Sequence, residues 1–249
     1  MKNNTTLTRN VSVNRLLAAV CSTILLAFSN LAAADWFISA ETKALIVKAE
    51  AGDTDAQLRV GAAYDSGRGA PRDGRQAMKW YRMAAERGNA EAQNSVGSGL
   101  QAEKRYEEAL PWYEKASAQG HALATNNLAY FYDLGLGVKQ DRRKGFELYS
   151  RAADLGWAEA MWNIANMYGA GQLGEKDMLN ACVWAMRARK FSAPHERELQ
   201  NHLSRVLPQL QRMLSAEQSA SCNQQSENWT PAALRNKEAQ PINPPDAAR

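Results

Sequence analysis

Ala77-Met78-Lys79-Trp80-Tyr81-Arg82-Met83-Ala84-Ala85 decides the fold of this chain, because the same pattern is written three more times. The next copy is Ala109-Leu110-Pro111-Trp112-Tyr113-Glu114-Lys115-Ala116-Ser117. Then come Gly145-Phe146-Glu147-Leu148-Tyr149-Ser150-Arg151-Ala152-Ala153 and Ala181-Cys182-Val183-Trp184-Ala185-Met186-Arg187-Ala188-Arg189. Gly52, Gly88, Gly120 and Gly156 punctuate the series at spacings of 36, 32 and 36 residues. Self-similarity at such a period marks a stacked-repeat architecture, in which one unit cannot bury its own apolar face.

Each glycine opens onto a second repeating segment. Ala56, Ala92, Ala124 and Ala160 share one position, and Val60, Val96, Leu128 and Ile164 share another four residues on. Tyr64, Tyr132 and Tyr168 follow after four more, with Leu100 in the second copy. Positions i, i+4 and i+8 lie on one helical face, so small residues permit close helix approach and aromatics fill the space beyond. Between the two helices runs a glycine loop, Gly67-Arg68-Gly69-Ala70 or Gly135-Leu136-Gly137-Val138. Asp73, Asp141 and Asp177 then stand in register to cap the second helix, and the closing glycine suits a left-handed turn. The expected fold is all-α: a right-handed α-solenoid of about four helix-turn-helix repeats plus C-terminal capping helices.

The pattern A-x-x-x-L-G/A-x-x-Y-x-x-G-x-G-V/A-x-x-D, continued by A-x-x-W-Y-x-x-A-A-x-x-G, resembles the Sel-one-like repeats, relatives of the tetratricopeptide repeats. The resemblance covers residues 47–191. The second copy departs from it, being four residues shorter and carrying Gln101-Ala102-Glu103-Lys104-Arg105-Tyr106 in place of the glycine loop. The fourth loop, Gly171-Gln172-Leu173-Gly174, is also irregular.

Outside the repeats the organisation is simple. Residues 1–34 read as an export signal: Lys2, Arg9 and Arg15, an apolar run from Leu16 to Phe28, and a small-x-small site at Ala32-Ala33-Ala34. Residues 35–46 are a lead-in. Residues 192–230 are capping helices, with an apolar stripe of Leu199, His202, Leu203, Val206, Leu210 and Met213 and a break at Pro208. Ser215 and Gln218 have capping-box spacing for a helix that should end near Trp229. Residues 231–249 hold four prolines and read as a disordered tail.

Charge argues against a nucleic-acid partner. The whole chain carries 30 basic and 26 acidic residues, and removing the leader's three bases leaves 27 against 26. A near-neutral body is a poor match for phosphate. With the leader removed, the expected setting is periplasmic or secreted. Of three cysteines, Cys182 and Cys222 then remain, an even pair that an oxidising compartment can bridge. Two separate buried thiols are the other reading.

Motifs for chemistry are weak, and neither a catalytic residue, a metal site nor a cofactor is expected. Gly169-Ala170-Gly171-Gln172-Leu173-Gly174 spells GxGxxG, but a helix precedes it where the dinucleotide fingerprint needs a strand. His195-Glu196 begins like HExxH, yet Leu199 stands where the second histidine belongs, and His202 is two turns away. His121 is left as a capping or surface residue.

In tetratricopeptide relatives the first helix of each unit lines a concave groove, and an asparagine before the branched apolar position bonds a bound peptide. By that resemblance the candidate partner-binding positions are Arg59, Asn127 and Asn163, joined by Tyr130 and Asn166 three residues on from the last two. An asparagine donates and accepts at once, which suits a peptide group. Solvated polar faces are the plain alternative. Trp162 stands where other copies carry Leu58, Asn94 and Asn126, and is a candidate anchor. The resemblance implies an exported scaffold for a protein or peptide partner, in envelope assembly or signalling. A cell-wall glycan binder using exposed aromatics is the alternative. A β-lactamase-like hydrolase is a further one; the family members linked to that activity carry a cysteine pair in every repeat, and this chain does not.

Overall fold

The computed structural model describes residues 37–238. The leader and residues 239–249 lie outside them. Every regular element among the described residues is helical, and the helices come in pairs, as the repeat demands. They form two compact units that divide at Arg87 and Gly88.

The first unit holds α1 (Ala40–Glu50), α2 (Thr54–Ser66) and α3 (Gly74–Glu86). Its core is Ala49, Ala56, Val60 and Trp80, with Leu45, Ile46, Tyr64 and Met83 packed around them. Gln57 is wholly buried and donates its amide N–H to the Ala49 carbonyl at 2.9 Å, tying α2 to the end of α1.

The second unit holds α4 (Ala90–Ala102), α5 (Tyr106–Ala118), α6 (Ala122–Leu134), α7 (Arg142–Asp154), α8 (Ala158–Ala170) and α9 (Met178–Phe191), then α10 (Arg197–Arg212), α11 (Ala216–Glu227) and α12 (Ala232–Glu238). Consecutive helices pack in a zigzag from α4 to α9, and α10 and α11 both pack on α9. Its main core runs through Tyr149, Met161, Ile164, Met167, Leu203 and Leu207, all but sealed from solvent.

The caps follow the repeat. Asp53, Asn89 and His121 stand at one position, each accepting the backbone N–H three residues on, at 2.8–3.1 Å. In the fourth copy the position is Trp157, which has no acceptor, and its indole N–H is buried without a partner. Asp73, Asp141 and Asp177 cap the second helices as expected. The short second copy turns instead through Lys104 at φ 60°, and its helix has no side-chain cap. Gly137 shows why a loop glycine is needed: a Cβ there would lie 2.6 Å from backbone atoms of Tyr106 and Glu107.

Three sequence expectations change at the C-terminal end. Residues 232–238 are helical rather than disordered, and Pro231 before them is buried. The α10 stripe is shifted: Leu207 is buried, whereas Met213, past the last turn, is 63% exposed. Pro208 does not interrupt the helix, which runs on to Arg212 with the proline exposed. The capping box of Ser215 and Gln218 is formed, and its helix ends at Glu227. Cys182 of α9 and Cys222 of α11 are joined by a disulfide with Cα atoms 6.0 Å apart, so the even pair is bridged.

Candidate functional site

The candidate residues lie on the first helices of the repeats, in two different situations. In the first unit Arg59 is exposed and ion-paired to Glu41 of α1 at 2.9 Å, beside a shallow cavity of about 550 Å³. In the second unit the first helices α4, α6 and α8 are linked side to side. Asn127 of α6 donates to Oδ1 of Asn94 of α4 at 3.1 Å. One step on, Asn163 of α8 donates to Oδ1 of Asn126 of α6, again at 3.1 Å.

These amide pairs revise the sequence picture. Asn127 and Asn163 are structural as well as polar: one N–H of each is used between repeats. The second N–H and the carbonyl of each make no hydrogen bond among the described residues, and both side chains are half-buried. The acceptors Asn94 and Asn126, 4% and 5% exposed, are the structural partners that repeat position did not reveal. The signal was there in the Asn126-Asn127 doublet, which lets one helix accept from the next unit and donate to the previous one.

Asn127 and Tyr130 line one cavity of about 550 Å³ between α4 and α6, with Ser98, Gln101, Tyr106 and Tyr113. Tyr130 is 40% exposed. Tyr113 is the buried wall: its hydroxyl donates to Gln101 Oε1 at 2.6 Å, with Ser98 Oγ at 3.2 Å. Burial pushes the Tyr113 phenol above its usual range despite the hydrogen bond to Ser98, so it stays a neutral donor. The cavity thus combines aromatic area with amide and hydroxyl groups. Among the described residues, Lys104 is the one charged side chain that borders it.

Trp162 does not join that cavity. It lies one repeat further on, half-buried, with its ring edge-on to His202 of α10 at 4.8 Å. It lines a separate cavity of about 680 Å³. Asn166 is exposed and borders neither. His121 caps α6 through Nδ1 while its Nε2 meets Glu91 of α4 at 2.7 Å, so the neutral ring carries its proton on Nε2. That bond holds the Glu91 carboxyl below the usual carboxylate range.

No group of three or more His, Cys, Asp or Glu side chains among the described residues is arranged to hold a metal ion. The GxGxxG string straddles the end of α8 and the following loop, which is not the strand-to-helix setting of a dinucleotide site. No described helix is long and apolar enough to cross a membrane.

Comparison with known proteins agrees with this geometry. The Sel1 repeat model matches residues 54–89, 90–121, 122–157 and 158–188. The chain is 34% identical over 83 residues to chitin synthase regulatory factor 3 of Schizosaccharomyces pombe, a stretch that is 33% of this chain and 9% of that protein. Among solved structures it is similar to c5321, a protective antigen of uropathogenic Escherichia coli strains displaying an SLR fold. The TM-score is 0.69 at 25% identity, over 84% of this chain and 45% of that one. A Sel1 repeat protein from Oxalobacter formigenes gives a TM-score of 0.59 at 28% identity, over 75% of this chain and 77% of that one. The chain therefore spans under half the length of the first two.

Proposed function

The chain belongs to the Sel1 repeat family, whose members generally act as protein–protein interaction scaffolds rather than enzymes, and from that premise we propose that it holds a protein or peptide partner on the face formed by α4 and α6. The observation that carries this reading is the cavity that places Asn127 and Tyr130 together. The unpaired amide edge of Asn127 matches a peptide group, and Tyr130 offers a rigid, amphipathic contact.

The setting is an exported one, periplasmic or secreted, in envelope assembly or signalling. The leader at residues 1–34 and the Cys182–Cys222 disulfide support it, since such bridges persist in oxidising compartments. The likeness to a protective antigen is in keeping with the same setting.

Crosslinking in the native compartment, followed by capture of this chain, tests the reading. Wild type is compared with Tyr130→Ala and with Asn127→Ala/Asn163→Ala. Tyr130 is exposed, so its loss leaves the fold intact and separates binding from stability. A discrete protein partner lost in both variants supports the proposal. A partner retained by both moves the binding surface elsewhere. Retention on purified cell wall without a protein partner replaces the proposal with glycan binding.

A further inference from the structure

The third step along the first helices of the second unit is built unlike the two before it. At the first two steps an asparagine accepts from the next helix: Asn94 from Asn127, then Asn126 from Asn163. At the third step the accepting position is Trp162, and α10 supplies His202 instead of an asparagine. Two rings set edge to face leave a recess, and neither ring is sealed: Trp162 and His202 are both half-buried.

The charge of the rim is lopsided. Glu159, Glu196 and Glu198 border the cavity against one cation, Arg205. Glu196 is partly spent, accepting the backbone N–H of Ala193. Glu159 and Glu198 sit in the first turns of α8 and α10 and make no hydrogen bond or ion pair among the described residues. Helix N-termini favour acids there, which explains carboxylates in those turns. It does not explain a tryptophan between them. The indole face attracts a cation and the carboxylates add opposite charge, the combination that recognises an ammonium or guanidinium group.

We infer that this cavity receives a lysine or arginine side chain of the protein partner. The inference rests on the proposed scaffold role and adds the chemistry of the bound segment: a basic residue that reaches the α8–α10 recess.

The test uses the full-length protein as exported and two probe peptides, acetyl-Gly-Arg-Gly-amide and its uncharged citrulline counterpart. The readout is the indole N–H resonance of Trp162, assigned with Trp162→Phe. The arginine peptide should shift it saturably, and the citrulline peptide should bind about fivefold more weakly, the scale of one exposed cation–π contact. Glu159→Gln/Glu198→Gln should weaken the arginine peptide comparably and leave the citrulline peptide unchanged. Equal binding of the two peptides, or no saturable shift with either, overturns the inference. The crosslinking capture separates the two proposals. A partner lost with Tyr130→Ala but retained by Trp162→Ala and by Glu159→Gln/Glu198→Gln leaves the scaffold reading standing and removes this one.

Discussion

Reducing the Cys182–Cys222 bond should release the C-terminal helices without melting the repeats. Helix α11 buries only Cys222 and Ser226, and its other ties to α9 are exposed: Arg187 donates to the Gln225 carbonyl and Lys190 to the Glu227 carbonyl. The bond spans 40 residues, but with α9 and α10 still folded it closes only the segment from Met213 to Cys222, and chain-entropy arguments for a loop of about ten residues give about 3 kcal/mol at 25 °C. Hydrophobic contacts of Cys182, Val183 and Cys222 with Leu179, Leu210 and Leu214 are retained by the thiols. The loss should therefore be confined to the entropic part, and to the opening of α11 together with α12. Trp229 reports on this, because its ring packs on Trp184 at 5.5 Å and Phe191 at 5.6 Å, with the Arg187 guanidinium 4.8 Å above it. The assay is fluorine NMR of fluorotryptophan-labelled protein, with urea added stepwise, oxidised and then reduced. The Trp229 resonance should move to its unfolded position at a lower urea concentration than that of Trp80 in the first unit, and only after reduction. A Trp229 transition displaced by less than about 1 kcal/mol would refute the argument that the bond is the main restraint on α11.

Other expectations are narrower. Gly137→Ala should destabilise by at least about 1–2 kcal/mol more than Gly120→Ala in thermal melts, because both carry the left-handed backbone cost but only at Gly137 does the new Cβ meet backbone 2.6 Å away. Asn126→Ala should cost about 1–2 kcal/mol in urea unfolding by stranding the Asn163 amide, and the double variant with Asn163→Ala should cost less than the two single losses together. His121→Ala removes a cap and should cost about 1 kcal/mol, whereas His121→Asn, which copies Asn89, should cost a few tenths. The depressed Glu91 carboxyl adds stability above its ordinary pKa of 4.5, and that stability disappears as pH falls through the lower folded value. Glu91→Gln should therefore flatten the acid side of the stability–pH curve by under about 1 kcal/mol, as suits an exposed pair.

The α4–α6 surface was legible in part. Asn127 and Tyr130 were reached through the resemblance to tetratricopeptide relatives, carried to this chain by repeat position, since register on a helix fixes which residues share a face. Their partners were not. A period tells which residues are equivalent, but not that Asn127 meets Asn94 33 residues earlier in the chain while Asn163 meets Asn126 37 residues earlier. Trp162 was marked as irregular in the sequence, yet nothing there put His202 beside it.

By itself the sequence determined the helices, their pairing and their ends. These are local matters: an apolar face repeating every three to four residues, an aspartate three residues before an exposed N–H, a glycine where the backbone turns left-handed. Tertiary structure alone decided what lies across a helix pair. It brought Cys182 to within 6.0 Å of Cys222 at the Cα atoms, turned Leu207 inward and left Met213 in solvent. It also set α10 against α8 so that two aromatic rings border a recess rather than a sealed core. Those outcomes depend on the angle and offset at which one helix rests on another, and the side chains that set them come from segments far apart in the chain.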